Sequence, residues 1–224
     1  VHKHLAWISD PTSNDRILIK TFSFPEVVSF KSTMSVKKID ALNRFCSDSI
    51  IFVEHDSVYT FGKNSDKSNI LASKDSKIKI YETERGGEIT YHGPGQIVCY
   101  PILNLKNFKQ SVAWYMRALE EVIIETLKLL NIKASRKDGL TGVWVKDDMI
   151  GAQGVRMSNW ISMHGFALNV NTDLRYFNDI IPCGIKDFGV TSIEKIIGKE
   201  QDLSLVKEHI LFSFAKVFNI KGYI

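Results

Sequence analysis

The sequence predicts a single α/β domain, with a mixed, largely antiparallel central sheet flanked by helices. Three observations carry that expectation. Short runs rich in β-branched and aromatic residues dominate the middle of the chain. Two longer segments, 111–130 and 203–218, repeat apolar residues at the three-to-four spacing of amphipathic helices. The 224 residues hold no internal repeat, linker or low-complexity block, and suffice for one full core while being marginal for two. Strands gathered in the middle with helices at the flanks point to a mixed sheet rather than a strict strand–helix alternation.

Taken in order, Leu5-Ala6-Trp7-Ile8 reads as a loose end or a first short strand, and 17–22 has strand composition. Pro25 interrupts it. From Val27 to Cys46 the apolar residues Val27, Val28, Phe30, Met34, Val36, Ile39, Leu42 and Phe45 recur at roughly helical spacing, which predicts a helix. Residues 49–55 form a β-branched run expected as a buried strand, with His55 a structural residue at its end. A polar, lysine- and serine-rich loop over 63–77 leads into the extended run 77–81. Ser111 is placed to cap the best helix of the chain, because its hydroxyl can accept from an orphan N–H of the first turn. Val112, Tyr115, Met116, Leu119, Val122, Ile123, Leu127 and Leu130 then line one face. Residues 141–156 read as a hairpin around the charged turn Lys146-Asp147-Asp148, and 160–170 as a further strand. Residues 173–180 have room for one or two helical turns, and 203–218 form the second amphipathic helix.

Composition narrows the function classes. A formal net charge of +4 with interspersed signs is too mild to imply nucleic acid and suits an acidic protein partner. Three cysteines without a CxxC pair give neither a disulfide framework nor a zinc knuckle, which makes a reducing compartment the simplest expectation. The dispersed histidines lack ligand spacing, so no metal is expected. No apolar run approaches the ~18 residues of a membrane span. The chain starts at Val1-His2-Lys3, which is expected of a trimmed leader or tag.

Two places carry candidate chemistry. The loop from Arg85 to Gln96 packs four glycines and a proline between extended runs, and adds an arginine, a tyrosine and a histidine. Such glycines mean positive φ or backbone left bare for close approach. A glycine-rich turn with scattered polar residues accounts for it equally, and it is not a phosphate loop, since no Gly-Lys-Ser/Thr follows. Cys183, between Pro182 and Gly184, sits at a backbone punctuation point where its sulfur can face a pocket. A free cysteine is also commonly a small buried hydrophobe, the reading that fits Cys46 and Cys99.

Read as a string, RGGEITYHGPGQIVCYPI closely resembles the signature of the octanoyltransferases (lipoyl(octanoyl) transferases), which move an octanoyl group from acyl carrier protein to a lysine of a lipoyl domain. Residues 57–63 resemble that family's HxPVYTxG segment and depart from it at Asp56-Ser57. Gly154-Val155-Arg156 with 164–170 is similar to GVR…HGxALNV, and Pro182-Cys183-Gly184-Ile185 with 190–193 is similar to PCGI…VTSL. Similarity runs in order from about residue 50 to 195.

The resemblance implies the fold of the biotin/lipoate protein ligase catalytic module and a thioester on Cys183. It implies a substrate site made from Arg85, Gly86, Gly87, Glu88, Ile89, Thr90, Tyr91, His92, Ala152, Gln153, Gly154, His164, Gly165, Phe166 and Ala167. In it, backbone of the Arg85–His92 loop, Gly154 and Gly165 walls the acyl tunnel and donates to the thioester oxygen. His92 and His164 either orient the lysine nucleophile and relay protons, or brace the loop. Arg85 and Arg156 are candidate ion-pair partners of Glu84 and Glu88. The implied partners are acyl carrier protein, lipoyl domains of 2-oxoacid dehydrogenases and the glycine cleavage H protein, with the enzyme a monomer that uses no nucleic acid and no membrane. No cofactor or nucleotide is implied, because the incoming thioester is already activated. The implied compartment is the cytoplasm of a bacterium, or the mitochondrion or plastid of a eukaryote.

One position departs. The family pattern has a lysine before the isoleucine at 150, and this chain has Met149. A free thiol of pKa about 8.5 is only a few per cent thiolate at pH 7, so a neighbouring ammonium matters and a thioether cannot replace it. Three readings stand: a slowed enzyme of the ordinary kind, Lys146 reaching in from the turn, or a relative that binds acyl chains or lipoyl domains without turnover. An ATP-dependent lipoate or biotin ligase is the competing enzyme class, although adenylation gives the cysteine block no purpose.

Overall fold

The structure, a computed structural model, describes residues 4–9, 16–21, 26–31, 48–71, 78–181 and 188–220, the first three stretches as backbone. Strands β1 (His4–Ser9), β2 (Arg16–Thr21), β3 (Glu26–Lys31), β4 (Ser49–Glu54) and β8 (Gln96–Ile102) form half of a large sheet. It continues through β11 (Ile161–Asn169), β10 (Asp148–Ser158) and the two-residue β12 (Gly189–Val190), with β9 (Val143–Val145) also paired to β10. Among the described residues of this sheet, the β3–β4 and β10–β12 pairings are parallel and the others antiparallel, so the sheet is mixed and mostly antiparallel, as the sequence implied. A second sheet of three strands runs in the order β6 (Lys79–Glu82), β5 (Val58–Phe61), β7 (Thr90–His92).

Alternation along β4 and β8 sends neighbouring side chains to opposite faces. Ile50, Phe52, Ile97 and Cys99 join the main core with Tyr115, Leu119, Val122 and Leu127 of helix α1 (Val112–Leu129). Val206, Ile210 and Phe214 of α3 (Leu203–Val217) close the same core. Each such side chain stabilises the fold by about 1.5–3 kcal/mol before entropy is counted. Ile51, Val53, Val98, Ile102 and Ala167 face the other way. Over that side lies the three-stranded sheet, with its own cluster of Tyr59, Phe61, Ile89, Tyr91, Phe177 and Ile180.

Helix α1 starts where its cap places it: Ser111 Oγ accepts from Trp114 N–H at 3.2 Å. The hairpin expected around Lys146 is present. Lys146 takes the first of its two connecting positions with φ 55, as tight hairpins require, and is exposed. One helix assignment is corrected at its start. Residues 26–31 form β3, paired with β2 on one side and with β4 on the other, while 32–47 lie outside the described residues. The adjacent β-branched Val27 and Val28 favour a pleated strand, and bonding on both edges outweighs the helical spacing read from the apolar residues. The short helix α2 (Ile193–Ile197), capped by Ser192, had no periodic signal of its own.

Candidate active site

Between the two sheets lies a cavity of about 440 Å³. Its floor on the large sheet is Val98, Ala152 and Ala167, and its roof on the small sheet is Val58, Thr60 and Thr90. The glycine-rich loop closes one wall. Arg85 clamps that loop: one guanidinium nitrogen donates to Thr60 O at 2.7 Å and Thr60 Oγ1 at 3.0 Å, the other to Gly86 O at 3.1 Å. The loop backbone is tied down by Lys63 N–H to Arg85 O at 2.8 Å and Gly86 N–H to Val155 O at 3.0 Å. Its approach to β10 demands glycine. A Cβ on Gly154 would stand 2.6 Å from Gly86 O, and one on Gly62 would overlap Gly87 O. Gly165 faces the same restriction against Cys99 O, so β11 and β8 lie closer than a side chain allows.

Histidines converge on the cavity from three places: His55 after β4, His92 on β7 and His164 on β11. His92 Nδ1 lies 2.7 Å from Gln96 Oε1. The Gln96 amide is oriented by its NH2, which donates to Tyr91 O at 3.2 Å and Asn169 Oδ1 at 2.9 Å. Its oxygen is therefore the acceptor, His92 carries its proton on Nδ1, and Nε2 keeps a lone pair. Burial pushes the His92 pKa down to about 3, with nearby His55 adding to the effect. Burial likewise lowers His55 to about 4, and its Nε2 is 3.0 Å from the Tyr100 hydroxyl. Both rings are neutral near pH 7. His164 holds φ 60 in mid-strand, a conformation costly for any residue but glycine, with its ring edge-on to Tyr100.

Most of the residues expected at the site line this cavity: Arg85, Gly87, Glu88, Thr90, His92, Ala152, Gln153, Gly154, His164, Gly165, Phe166 and Ala167. Gly86 supports the loop through its bond to Val155. Ile89 and Tyr91 turn into the core beneath the small sheet, each with no exposed surface. Gln153 commits its side-chain amide to Met116 O and Glu120, and Phe166 buries its ring in the helix-side core, so both serve the cavity from behind. Glu88 accepts from Asp66 N–H and from Asn69 Nδ2. Arg156 pairs with Glu84 as anticipated. His55, read from the sequence as a structural residue, and Tyr100, not singled out there, both line the cavity. One follows a strand and the other sits in an apolar run, and only the pairing of β4 with β8 brings them together.

Cys183 and Cys46 lie outside the described residues, whereas Cys99 is a core thiol whose pKa burial pushes well up. The chain on either side of 182–187 is described. Ile181 N–H donates to Asn69 O at 2.8 Å, and Asn69 also contacts the cavity-lining Glu88. Past the segment, Val190 pairs with Met149, which is only 4% exposed, and Thr191 N–H donates to Met149 O at 2.9 Å. Among the described residues no His/Cys/Asp/Glu group is arranged to hold a metal ion.

Two sheets enclosing an apolar cavity, walled by a glycine loop, define the fold class of lipoate and biotin protein ligases. Solved structures agree. A bipartite lipoate protein ligase from Thermoplasma acidophilum superposes with TM-score 0.66 at 16% identity, covering 84% of this chain and 81% of that one. Biotin protein ligase from Aquifex aeolicus superposes with TM-score 0.55 at 17% identity, covering 88% and 70%. Sequence is more particular. Residues 36–215 match the lipoyl protein ligase A/B catalytic domain. The chloroplastic octanoyltransferase LIP2p2 of Arabidopsis thaliana is 47% identical over 85% of this chain and 72% of its own length. The octanoyltransferase of Christiangramia forsetii is 46% identical over 89% and 90%. The chain belongs to the octanoyltransferase family, within the lipoyl protein ligase A/B catalytic domains, and is an acyltransferase.

Proposed function

We propose that this protein takes an octanoyl group from octanoyl-acyl carrier protein and delivers it to the lysine of lipoyl domains, through a thioester on Cys183. The observation that carries the reading is the cavity between the two sheets, apolar on its floor and walled by bare backbone. An eight-carbon chain lies on Val98, Ala152 and Ala167, and its carbonyl sits among the glycines. The octanoyltransferase relatives at 46–47% identity favour acyl transfer over adenylation, since the ligases share the fold at 16–17% identity.

In the first step the Cys183 sulfur attacks the donor thioester. A new carbon–sulfur bond forms, the bond to the carrier's thiol breaks, and the departing thiolate takes up the proton lost from Cys183. In the second the lysine amine attacks the enzyme thioester, an amide forms, and the Cys183 thiolate is released and regains a proton from the amine. His92 offers its Nε2 lone pair to an amine N–H, while its low pKa makes it a hydrogen-bond acceptor rather than a strong base. The partners are acyl carrier protein, lipoyl domains and the glycine cleavage H protein, and the enzyme works as a monomer. The compartment is the plastid or mitochondrion in a eukaryotic source and the cytoplasm in a bacterial one.

Incubation with octanoyl-acyl carrier protein should add one octanoyl mass, removable by hydroxylamine, on Cys183. Full transfer by a Cys183→Ser variant would overturn the proposal. So would pyrophosphate release from ATP and lipoate with no acyl adduct.

A further inference from the structure

A line of buried polar groups runs from the cavity back into the large sheet. His92 Nδ1 lies 2.7 Å from Gln96 Oε1, the Gln96 nitrogen lies 2.9 Å from Asn169 Oδ1, and the Asn169 nitrogen lies 3.1 Å from Thr191 O. Gln96 opens β8 and Asn169 ends β11, where the two are cross-strand partners, so their side chains share one face of the sheet. Gln96, Asn169 and Thr191 are each buried, so the links must be satisfied by one another and not by bulk water.

The line has one polarity, because it ends on a group that can only accept. Thr191 O requires the Asn169 amide to present its NH2, which turns Oδ1 toward Gln96. Asn169 Oδ1 in turn requires the NH2 of Gln96, and Tyr91 O, 3.2 Å from the same nitrogen, requires it a second time. The oxygen of Gln96 is then what remains for His92, whose Nδ1 must carry the proton. Reversing the Gln96 amide would set its oxygen against two acceptors, and reversing Asn169 as well would set Oδ1 against Thr191 O. Both arrangements leave buried groups unsatisfied. Thr191 is itself fixed by its N–H, which donates to Met149 O at 2.9 Å. Without such a partner a neutral imidazole favours the opposite tautomer, with its proton on Nε2, so the bond made by one ring nitrogen decides what the other can do.

We infer that Gln96 and Asn169 are positioning residues for amide formation: anchored on Thr191 O, they hold the His92 proton on Nδ1, so that Nε2 meets the incoming lysine amine as an acceptor. This role rests on the proposed acyl transfer. His92 lines the cavity, whereas Gln96 and Asn169 stand behind it and act through the ring. In the step concerned, the amine nitrogen bonds to the acyl carbon, the carbon–sulfur bond of the enzyme thioester breaks, and one amine proton passes to the departing thiolate. Nε2 accepts a hydrogen bond from the amine, which aims the nitrogen lone pair at the acyl carbon, and the ring gains no proton.

The test is the tautomer of His92, read at pH 7 from the 15N shifts of its ring nitrogens in histidine-labelled protein, with its signals assigned against His92→Gln. The parent should show a protonated Nδ1 and a bare Nε2. Gln96→Met, which removes the acceptor, should move the proton to Nε2, and Asn169→Leu, two links from the ring, should mix the two tautomers. Gln96→Glu keeps an oxygen opposite Nδ1 and should retain the parental tautomer. In single-turnover measurements Gln96→Met should slow transfer from octanoyl-loaded enzyme to a lipoyl domain at least about tenfold more than it slows loading from octanoyl-acyl carrier protein. A role confined to tying the two sheets together would slow both half-reactions alike. That result, or a parent ring with its proton on Nε2, would overturn the inference and leave the proposed function standing. Absence of any octanoyl adduct in the parent would remove the proposed function and this role with it.

Discussion

Gly154 and Gly86 meet so closely that a Cβ on the first would stand 2.6 Å from the carbonyl oxygen of the second. They come from the hairpin strand β10 and from the glycine loop, 68 positions apart (154 − 86). Their contact holds the loop against β10 beside the cavity, and Arg85 Cδ, carried by the same loop, lies 3.3 Å from the same point.

The consequence is direct. Gly154→Ala should push the loop away from β10, destabilise the fold by about 1–3 kcal/mol, and depress octanoyl transfer more than that loss explains. Urea denaturation and transfer rates on the same preparation check it. An alanine variant with parental stability and rate would show that the loop yields freely.

Ala167 offers a cleaner probe of what the cavity holds, since it is 8% exposed on the floor beside Val98. Ala167→Leu should fill part of the cavity and slow transfer of octanoyl at least about tenfold, the effect of about 1.4 kcal/mol on the barrier. A butyryl donor should be affected much less. Equal losses for both donors would argue that the acyl chain lies elsewhere.

Acid sensitivity follows from the two buried histidines. Folded, His55 and His92 titrate at about 4 and about 3, while in the unfolded chain each titrates near 6.5. As pH falls below 6.5 the unfolded chain binds protons first, so stability present above that pH is lost progressively toward pH 4 and below. Each ring costs about 2 kcal/mol by pH 5. The urea midpoint should therefore drop between pH 7 and pH 5, and His55→Gln should remove about half of the drop. A midpoint constant over that range would mean the rings are hydrated.

Glu120 holds helix α1 to the active-site hairpin from behind. The carboxylate is 2% exposed and accepts from Arg117 and Arg136, each at 2.8 Å, from Gln153 Nε2 at 2.8 Å and from Gly142 N–H at 3.3 Å. Glu120→Ala leaves the buried Gly142 N–H without its acceptor, while the half-exposed Arg117 can turn to water and Arg136 keeps Glu121, and should cost about 1–3 kcal/mol. Chemical denaturation measures it. A loss below about 1 kcal/mol would show that water takes the carboxylate's place.

Local elements were legible wherever neighbours along the chain decide them. Helix α1 follows from an apolar face repeating every three to four residues behind a serine cap, and the Lys146 hairpin from two apolar runs around a charged turn. The motif blocks at 85–102, 154–170 and 182–193 carry the family resemblance in the order of residues alone.

What the amino-acid order could not settle was set by strand pairing. Residues 27–31 carry apolar spacing that suits a helix, yet β2 and β4 bond to both edges and hold them extended. His55 and Tyr100 stand 45 positions apart, each unremarkable in its own segment, and become partners only because β4 lies beside β8. Arg85 likewise reaches Thr60, 25 positions away, only because the glycine loop lies beside β5. The physical reason is common to all three. Periodicity and capping report forces acting within a few residues, whereas burial and the field at a site are sums over segments brought together by the sheets.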